Sequence, residues 1–552
     1  RGMLTADLRI GGPAGAVPVV AQVTDGSQQV NLGALQDVRV YHLLVRPDAL
    51  GDLRLRIRGT TTIVGEDPRP LGAMIDWIGV RSVGPAVPPP AGLAGTAISI
   101  LLLWPAMAPL QMAYRRRLLV LALLGMAMCA GFVIAWGRLP LHLIWAGLGL
   151  AAAAGMFLAR VEVPERKTAL GRIALVVGMF VLWRVALWGT GAVGLHYGAD
   201  IYRYAKELSS GFSKIISQHG GFAWGALADA WMQWDSEHYQ TIAVEGYSFY
   251  PPDDRRWSNI AFFPLYPLLM RALLPLVGHD AAVAALLVAH VAMLEAVVLL
   301  FDLVRHDFGH TVAYRTLILL LLFPTSFFFV AGYSESLALA LAVAALWAIR
   351  RERWWLAGLA GLLLTLARLP GVMITPVLAL TYLQRREWRW RELRPDFLAA
   401  LLPLVGLVLF MLYQWWRFDT PFAFLIAQQR WKNHVTAPWH MPAQIVDDIR
   451  HSADWEMAWF RLGVWALFAG LTLVALRRLP LPYGLTALLL LLPPYLANQT
   501  GSLIRHVLIA FPAFVALALL SQRLWVRWLI ISIALPLLVA LTLLFVNGLW
   551  VA

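Results

Sequence analysis

Charge is scarce in this chain: Asp, Glu, Lys and Arg make up 14% of its 552 residues, against about 25% in a soluble protein. Cysteine is scarcer. The single Cys129 lies inside an apolar run, which excludes a disulfide framework and a cysteine metal site. There is no Walker A sequence, no GxSxG elbow and no Rossmann glycine fingerprint. Chemistry driven by ATP or a nucleotide sugar on a cytosolic domain is therefore not expected. What is abundant is apolar: 60% of the residues, with a mean hydropathy of +0.66. These residues fall in runs of roughly 17 to 25, the length that crosses a bilayer, so the chain reads as a polytopic membrane protein. The net charge of +13 sits in short loops between apolar runs. That is the pattern of cytoplasmic membrane loops, and no nucleic-acid partner is expected. The chain begins at Arg1 rather than at methionine, and an upstream segment, a signal or a first membrane helix, is expected.

Residues 1–92 differ from the rest. VPVVAQVTDG, VRVYHLLVRP and LRLRIRGTTTIVG alternate apolar and polar residues between Gly, Pro and Asp. Such alternation predicts half-buried antiparallel strands, here a small extracytoplasmic β-sandwich that could hold sugar. A stiff linker, AVPPPAG, ends it at 86–92. Residues 93–160 follow as accessory membrane helices, with candidates near 95–111, 118–136 and 139–159. Residues 161–552 form the main membrane core, interrupted by polar loops at 195–281 and 416–458. Its candidates are 171–194, 282–304, 315–331, 334–350, 355–383, 396–415, 459–476, 481–496, 506–521 and 527–549. The run 355–383 contains ARLPG, and the residue before a proline resists helical geometry, so two half-spans are expected there. The fold class is mainly α, with about fourteen crossings.

Arginines fall in alternate loops, from Arg115–Arg117 through Arg350, Arg351 and Arg353 to Arg523 and Arg527. That side is assigned to the cytoplasm. The β-domain, both polar loops, ARLPG and NQTGSLIRH then share the opposite face, where most of the polar chemistry gathers.

Asp235, Glu237 and His238 stand in WDSEHY. On a helix Asp235 and His238 share a face, with Tyr239 beside Asp235. A carboxylate among aromatics at a membrane surface is partly desolvated, which suits a general base. The plainer reading is a solvated loop with a capping aspartate and with Trp234 and Tyr239 as interfacial anchors. The spacing does not fit HExxH, so a metal is not expected there. The proline-rich NIAFFPLYPLLMRALLPL, with Arg271 in mid-run, suits a helix lying in the interface. Tyr333 and Glu335 sit at the edge of a span in FPTSFFFVAGYSES. Arg368 lies between two half-helices and needs a carboxylate or a phosphate as partner. Gln428, Arg430 and Lys432 form a second polar patch, and Arg505 with His506 opens the helix after NQTGS. Free backbone amides at that helix start also favour an anion. Each cation alone has an ordinary reading as a snorkelling side chain. Together, opposite a carboxylate cluster, they describe a site for a phosphate-bearing lipid with a base nearby.

WDSEHYQTIAVEGY, NIAFFPLYPLLMRAL, FPTSFFFVAGYSESLALAL and LARLPGVMI, in that order, resemble the PIG-V type mannosyltransferase family. These are the bacterial relatives of glycosylphosphatidylinositol mannosyltransferase II. The resemblance covers residues 171 to 549 and leaves out the β-domain and the first three spans. The family often has glycine after the aspartate, where this chain has Ser236. The resemblance implies a GT-C glycosyltransferase fold and a polyprenyl-phosphate sugar donor. It implies Asp235 as catalytic base, with Glu237 and His238 close by, and Arg368, Arg505 and His506 on the donor phosphate. Expected partners are that donor, a glycan, glycolipid or protein acceptor, and the lipid bilayer. The location expected is a bacterial plasma membrane with an extracytoplasmic active site. A divalent cation (Mg or Mn) is a candidate cofactor with Asp253 and Asp254 nearby, but no ligand set is apparent. The rival readings are a flippase of lipid-linked sugars, a carbohydrate-binding scaffold, and a GT-C enzyme that transfers arabinose or glycosylates protein.

Overall fold

A computed structural model describes the strands between residues 4 and 82, then residues 168–208, 228–250, 256–429, 436–437, 439–451, 455–549 and 551. The expected spans at 95–111, 118–136 and 139–159 lie outside these residues, as do Asp253, Asp254, Arg430 and Lys432. The chain divides into two compact units, Arg1–Leu158 and Ala159–Ala552.

In the first unit the alternating segments are strands. Leu4–Gly11 (β1), Arg39–Val45 (β4) and Met74–Ser82 (β8) form one antiparallel sheet in the order β4-β1-β8. Val19–Thr24 (β2), Gln29–Leu35 (β3) and Arg56–Gly59 (β5) form a second, in the order β3-β2-β5. Thr62–Val64 (β6) pairs with Asp67–Leu71 (β7). Along β1 the period of two puts Ala6, Leu8 and Ile10 on one face, where they are buried with Leu43 and Val45. Leu32 and Ile57 of the second sheet pack against that cluster. On the other face of β1, Asp7 bonds His42 Nδ1 at 2.7 Å, directly across the ladder.

The second unit is helical. Among the described residues five helices are long and apolar enough to cross a membrane: Ala169–Leu195, Ala281–Phe308, Pro395–Phe418, Met457–Arg478 and Leu524–Val546. Thr500–Ile509 and Pro512–Leu520, bent by 76°, make a sixth if counted as one span. The run 355–383 does break at its proline. Trp354–Ala367 ends at an extended Arg368, a 3-10 turn covers Leu369–Met373, and Ile374–Arg385 resumes the helix. Two expected spans take a different form: 506–521 is bent at Pro512, and 315–331 is cut short. The helix over 315–331 stops at Leu321, because Pro324 disfavours helical geometry at Phe323, and a 3-10 turn at Ser326–Phe329 leads to the next helix, Glu335–Arg350.

Arg271 also has a local explanation. It lies on the short helix Leu265–Leu273, and its Nε and Nη2 donate to the carbonyls of Ala243 (2.7 Å) and Val244 (3.1 Å). A guanidinium there satisfies the open carbonyls of the Ser236–Val244 helix and complements its dipole.

Candidate active site

The site grows from the turn that carries WDSEHY. Trp234 adopts a left-handed φ of 55°, a conformation costly for a bulky residue and typical of functional turns. Ser236 Oγ closes the turn onto the carbonyl of Gln233 at 2.7 Å, and the helix Ser236–Val244 begins directly after Asp235. Asp235 occupies the capping position but makes no capping hydrogen bond with its side chain. Its Oδ2 instead accepts from Arg505 Nη2. Between the two sequence readings of this aspartate, the geometry excludes the cap.

Arg505 reaches further. Its Nη1 lies 3.8 Å from Glu335 Oε1, which also accepts from Arg368 Nη1 at 2.5 Å. Asp235, Arg505, Glu335 and Arg368 thus form a row of alternating charge, two carboxylates and two guanidiniums. All four are largely buried, and Glu335 is fully enclosed. Buried ions persist when paired, because desolvation penalises each alone. The pairing is nevertheless incomplete. Glu335 Oε2, Arg505 Nε and His506 Nδ1 are buried without a hydrogen-bond partner.

Backbone contacts hold the parts together. Gly332 N donates to the carbonyl of Trp231 at 3.0 Å. A Cβ at Gly332 would lie 2.2 Å from Met232 Sδ, so a larger residue there would displace the end of that side chain. Tyr333 Oη donates to the carbonyl of Gln233 at 3.0 Å, and Tyr239 Oη bonds Ser334 Oγ at 2.8 Å. Thr325 Oγ1 donates to the carbonyl of Ile504 at 2.7 Å, tying the 3-10 segment to the short helix Leu503–His506 that carries Arg505. Arg505 stacks over the Tyr333 ring at 5.3 Å and donates to Ser502 Oγ at 3.0 Å. His238 stacks on Phe262 at 4.6 Å between ring centroids.

Burial tunes the titrating groups around Asp235. Desolvation pushes the Glu237 carboxyl up to about 7. It pushes His238 below its usual value, against the pull of the Asp235 charge. Tyr239 is raised to about 12, chiefly by burial, and remains a neutral hydrogen-bonding group.

Of the residues singled out in the sequence, the structure therefore brings together Asp235, Tyr239, Tyr333, Glu335, Arg368 and Arg505. His506 adjoins them, and Trp234, Glu237 and His238 flank the base. Gln428 ends the short helix Ala423–Gln428, whose Phe424 and Ala427 pack into an aromatic cluster with Phe263 and Phe410. Sequence reasoning missed Gln233, Ser334 and Ser502. Ser334 carried a signal, a hydroxyl directly before the acidic start of a helix. No three His, Cys, Asp or Glu side chains come together as a metal site among the described residues.

Known proteins give this geometry a context. Residues 195–392 match the family model described as mannosyltransferase (PIG-V). GPI alpha-1,6-mannosyltransferase 2 of Rattus norvegicus is 32% identical over 200 residues, 34% of this chain and 37% of that protein. The Homo sapiens protein of the same name is 28% identical over 202 residues, 35% of this chain and 38% of its own length. The matched part spans little more than a third of these curated relatives. The crystal structure of ArnT from Cupriavidus metallidurans bound to undecaprenyl phosphate aligns with a TM-score of 0.37 at 15% identity, over 64% of this chain and 60% of that one. The residues from the end of the first described helix to the arginine-rich loop after Arg385, 195–392, carry the signature of the mannosyltransferase (PIG-V) family.

Proposed function

We propose that this chain is a membrane glycosyltransferase of the GT-C type, which moves a sugar, mannose, from a polyprenyl-phosphate donor to an acceptor hydroxyl with inversion. The observation that carries the reading is the buried charge row. It pairs a carboxylate fit to take a proton directly with one guanidinium, Arg505, and links it through Glu335 to a second, Arg368, both fit to hold a phosphate.

In the proposed step Asp235 takes the proton of the acceptor hydroxyl, whose oxygen forms the new bond to the anomeric carbon. The bond from that carbon to the phosphate oxygen breaks, and its electron pair leaves on polyprenyl phosphate. Arg368 and Arg505 hold the charge that develops there. In this reading Glu237, whose carboxyl burial raises to about 7, serves as a second acid–base group near the reacting hydroxyl. The arginine bias assigns the site to the extracytoplasmic face of a plasma membrane crossed about fourteen times, with the N-terminal sheets as a β-sandwich. Residues 1–92, 93–160 and 161–552 then divide into a β-domain, accessory helices and a catalytic core.

The test is transfer from radiolabelled polyprenyl-phosphate mannose by membranes containing the wild type or Asp235→Asn. Loss of a general base lowers the rate about 10²–10⁴-fold. Wild-type transfer by the variant would remove Asp235 from the mechanism, and translocation without transfer in proteoliposomes would favour a flippase instead.

A further inference from the structure

The charge row contains a conflict. Two carboxylates and two guanidiniums already balance, so an entering phosphate brings an anion to a site with no unspent cation in the row. Arg368 is committed to the enclosed Glu335 at 2.5 Å. Arg505 is less tightly bound to that carboxylate, at 3.8 Å, and its main anionic partner is Asp235. Its Nε has no partner, so the same guanidinium has a donor to spare. Ser502 and the Tyr333 ring guide its head without fixing its charge.

Resting on the donor reading above, we propose that Asp235 and the lipid phosphate compete for Arg505, so that donor binding unmasks the base. Before the donor arrives, Arg505 occupies the Asp235 carboxylate through its Nη2. The arriving phosphate draws Arg505 away, and Asp235 is left beside the anomeric centre as a free base. Glu335 remains on Arg368 as the fixed counter-charge between the two guanidiniums. An acceptor hydroxyl reaching the empty site meets an occupied base, which makes donor-first the productive order. After transfer, return of Arg505 to Asp235 helps expel the polyprenyl phosphate.

Competition for one cation has a readout that needs no turnover. Equilibrium binding of a polyprenyl phosphate to the full chain in lipid nanodiscs is measured for the wild type, Asp235→Asn, Arg505→Gln and the double variant. Asp235→Asn, although inactive, should bind about tenfold tighter than wild type, because its Arg505 is released to the phosphate. Arg505→Gln should bind more weakly than wild type. The double variant should match Arg505→Gln, since the gain depends on the arginine. Where Asp235→Asn does not accumulate as folded protein, Asp235→Ala frees the same guanidinium and should show the same tightening. Binding by Asp235→Asn or Asp235→Ala that equals or falls below wild type overturns the competition and leaves the donor reading intact. Tightening that persists in the double variant also overturns it. No binding by the folded wild type overturns both.

Discussion

The helix Glu335–Arg350 carries an ion-pair cluster at each end, ~22 Å apart at 1.5 Å per residue. At its C-terminal end Arg350 grips Asp307 with two bonds, Nε to Oδ2 at 2.7 Å and Nη2 to Oδ1 at 2.9 Å. Tyr483 Oη adds a third at 2.8 Å. Next to it Asp302 accepts from Arg351 and from Trp347 Nε1. At the N-terminal end both arginines share one oxygen of Glu335, and the other oxygen has no partner. Each end suits the helix dipole, acid first and base last, so the dipole does not separate them. Saturation does. A cluster whose hydrogen bonds are all used braces the fold, whereas one with buried unused donors and acceptors has room for a ligand.

Glu335→Gln should break the comparison most strongly. It leaves two buried guanidiniums with one carboxylate, and transfer should fall by about 10²-fold, as for loss of one positioned electrostatic contact. Asp307→Asn removes a carboxylate as deeply buried, and should cost about 3 kcal/mol of stability. Its rate per folded molecule should stay within about twofold of wild type if that end is only a brace. Thermal melting beside transfer assays separates the two outcomes, and equal losses of rate at both ends would erase the distinction.

Gly371→Ala probes how Arg368 is held. A Cβ at this position would lie 2.3 Å from the backbone nitrogen of Thr365 and 2.5 Å from the carbonyl carbon of Leu364. Backbone cannot move aside as a side chain can, so a destabilisation of about 3 kcal/mol is expected, with weakened donor binding. A variant that melts and binds like wild type would show that the turn tolerates displacement.

The smallest effect concerns Glu237. Its carboxyl titrates at about 7 in the folded protein, above its ordinary value, because burial penalises the charge. The folded state therefore keeps a proton that the unfolded chain gives up, and stability falls as pH rises towards 7. Glu237→Gln removes this dependence. Its melting temperature should match wild type at pH 4 and exceed it at pH 8 by on the order of 1 °C. Parallel melting curves for the two proteins across that range would mean that Glu237 is not desolvated.

Much of the site was legible because membrane sequence makes polar residues conspicuous. Asp235, Glu335, Arg368 and Arg505 stand out against apolar runs, and an intramembrane or interfacial charge needs a partner. Which charge pairs with which was not legible. Asp235 and Arg505 are 270 positions apart, and nothing in either segment's periodicity encodes the other. Strands of the first unit followed from alternation, as in VRVYHLLVRP, which holds β4. The short helices were harder to read. Pro324 cuts one run and Pro512 bends another, while the hydrophobicity on either side continues unchanged.

The long reach between Asp235 and Arg505 also sets a timetable for synthesis. Ribosomes deliver the turn at Asp235 and the acid at Glu335 well before the segment that bears Arg505 and the carbonyl that receives Thr325. Contacts so distant along the chain close late, after most of the helices are in the bilayer. Until then Glu335 has one guanidinium and Asp235 has none. A nascent chain therefore carries an unpaired acid at Asp235 until its last quarter is made, so the site is completed only when synthesis is nearly finished.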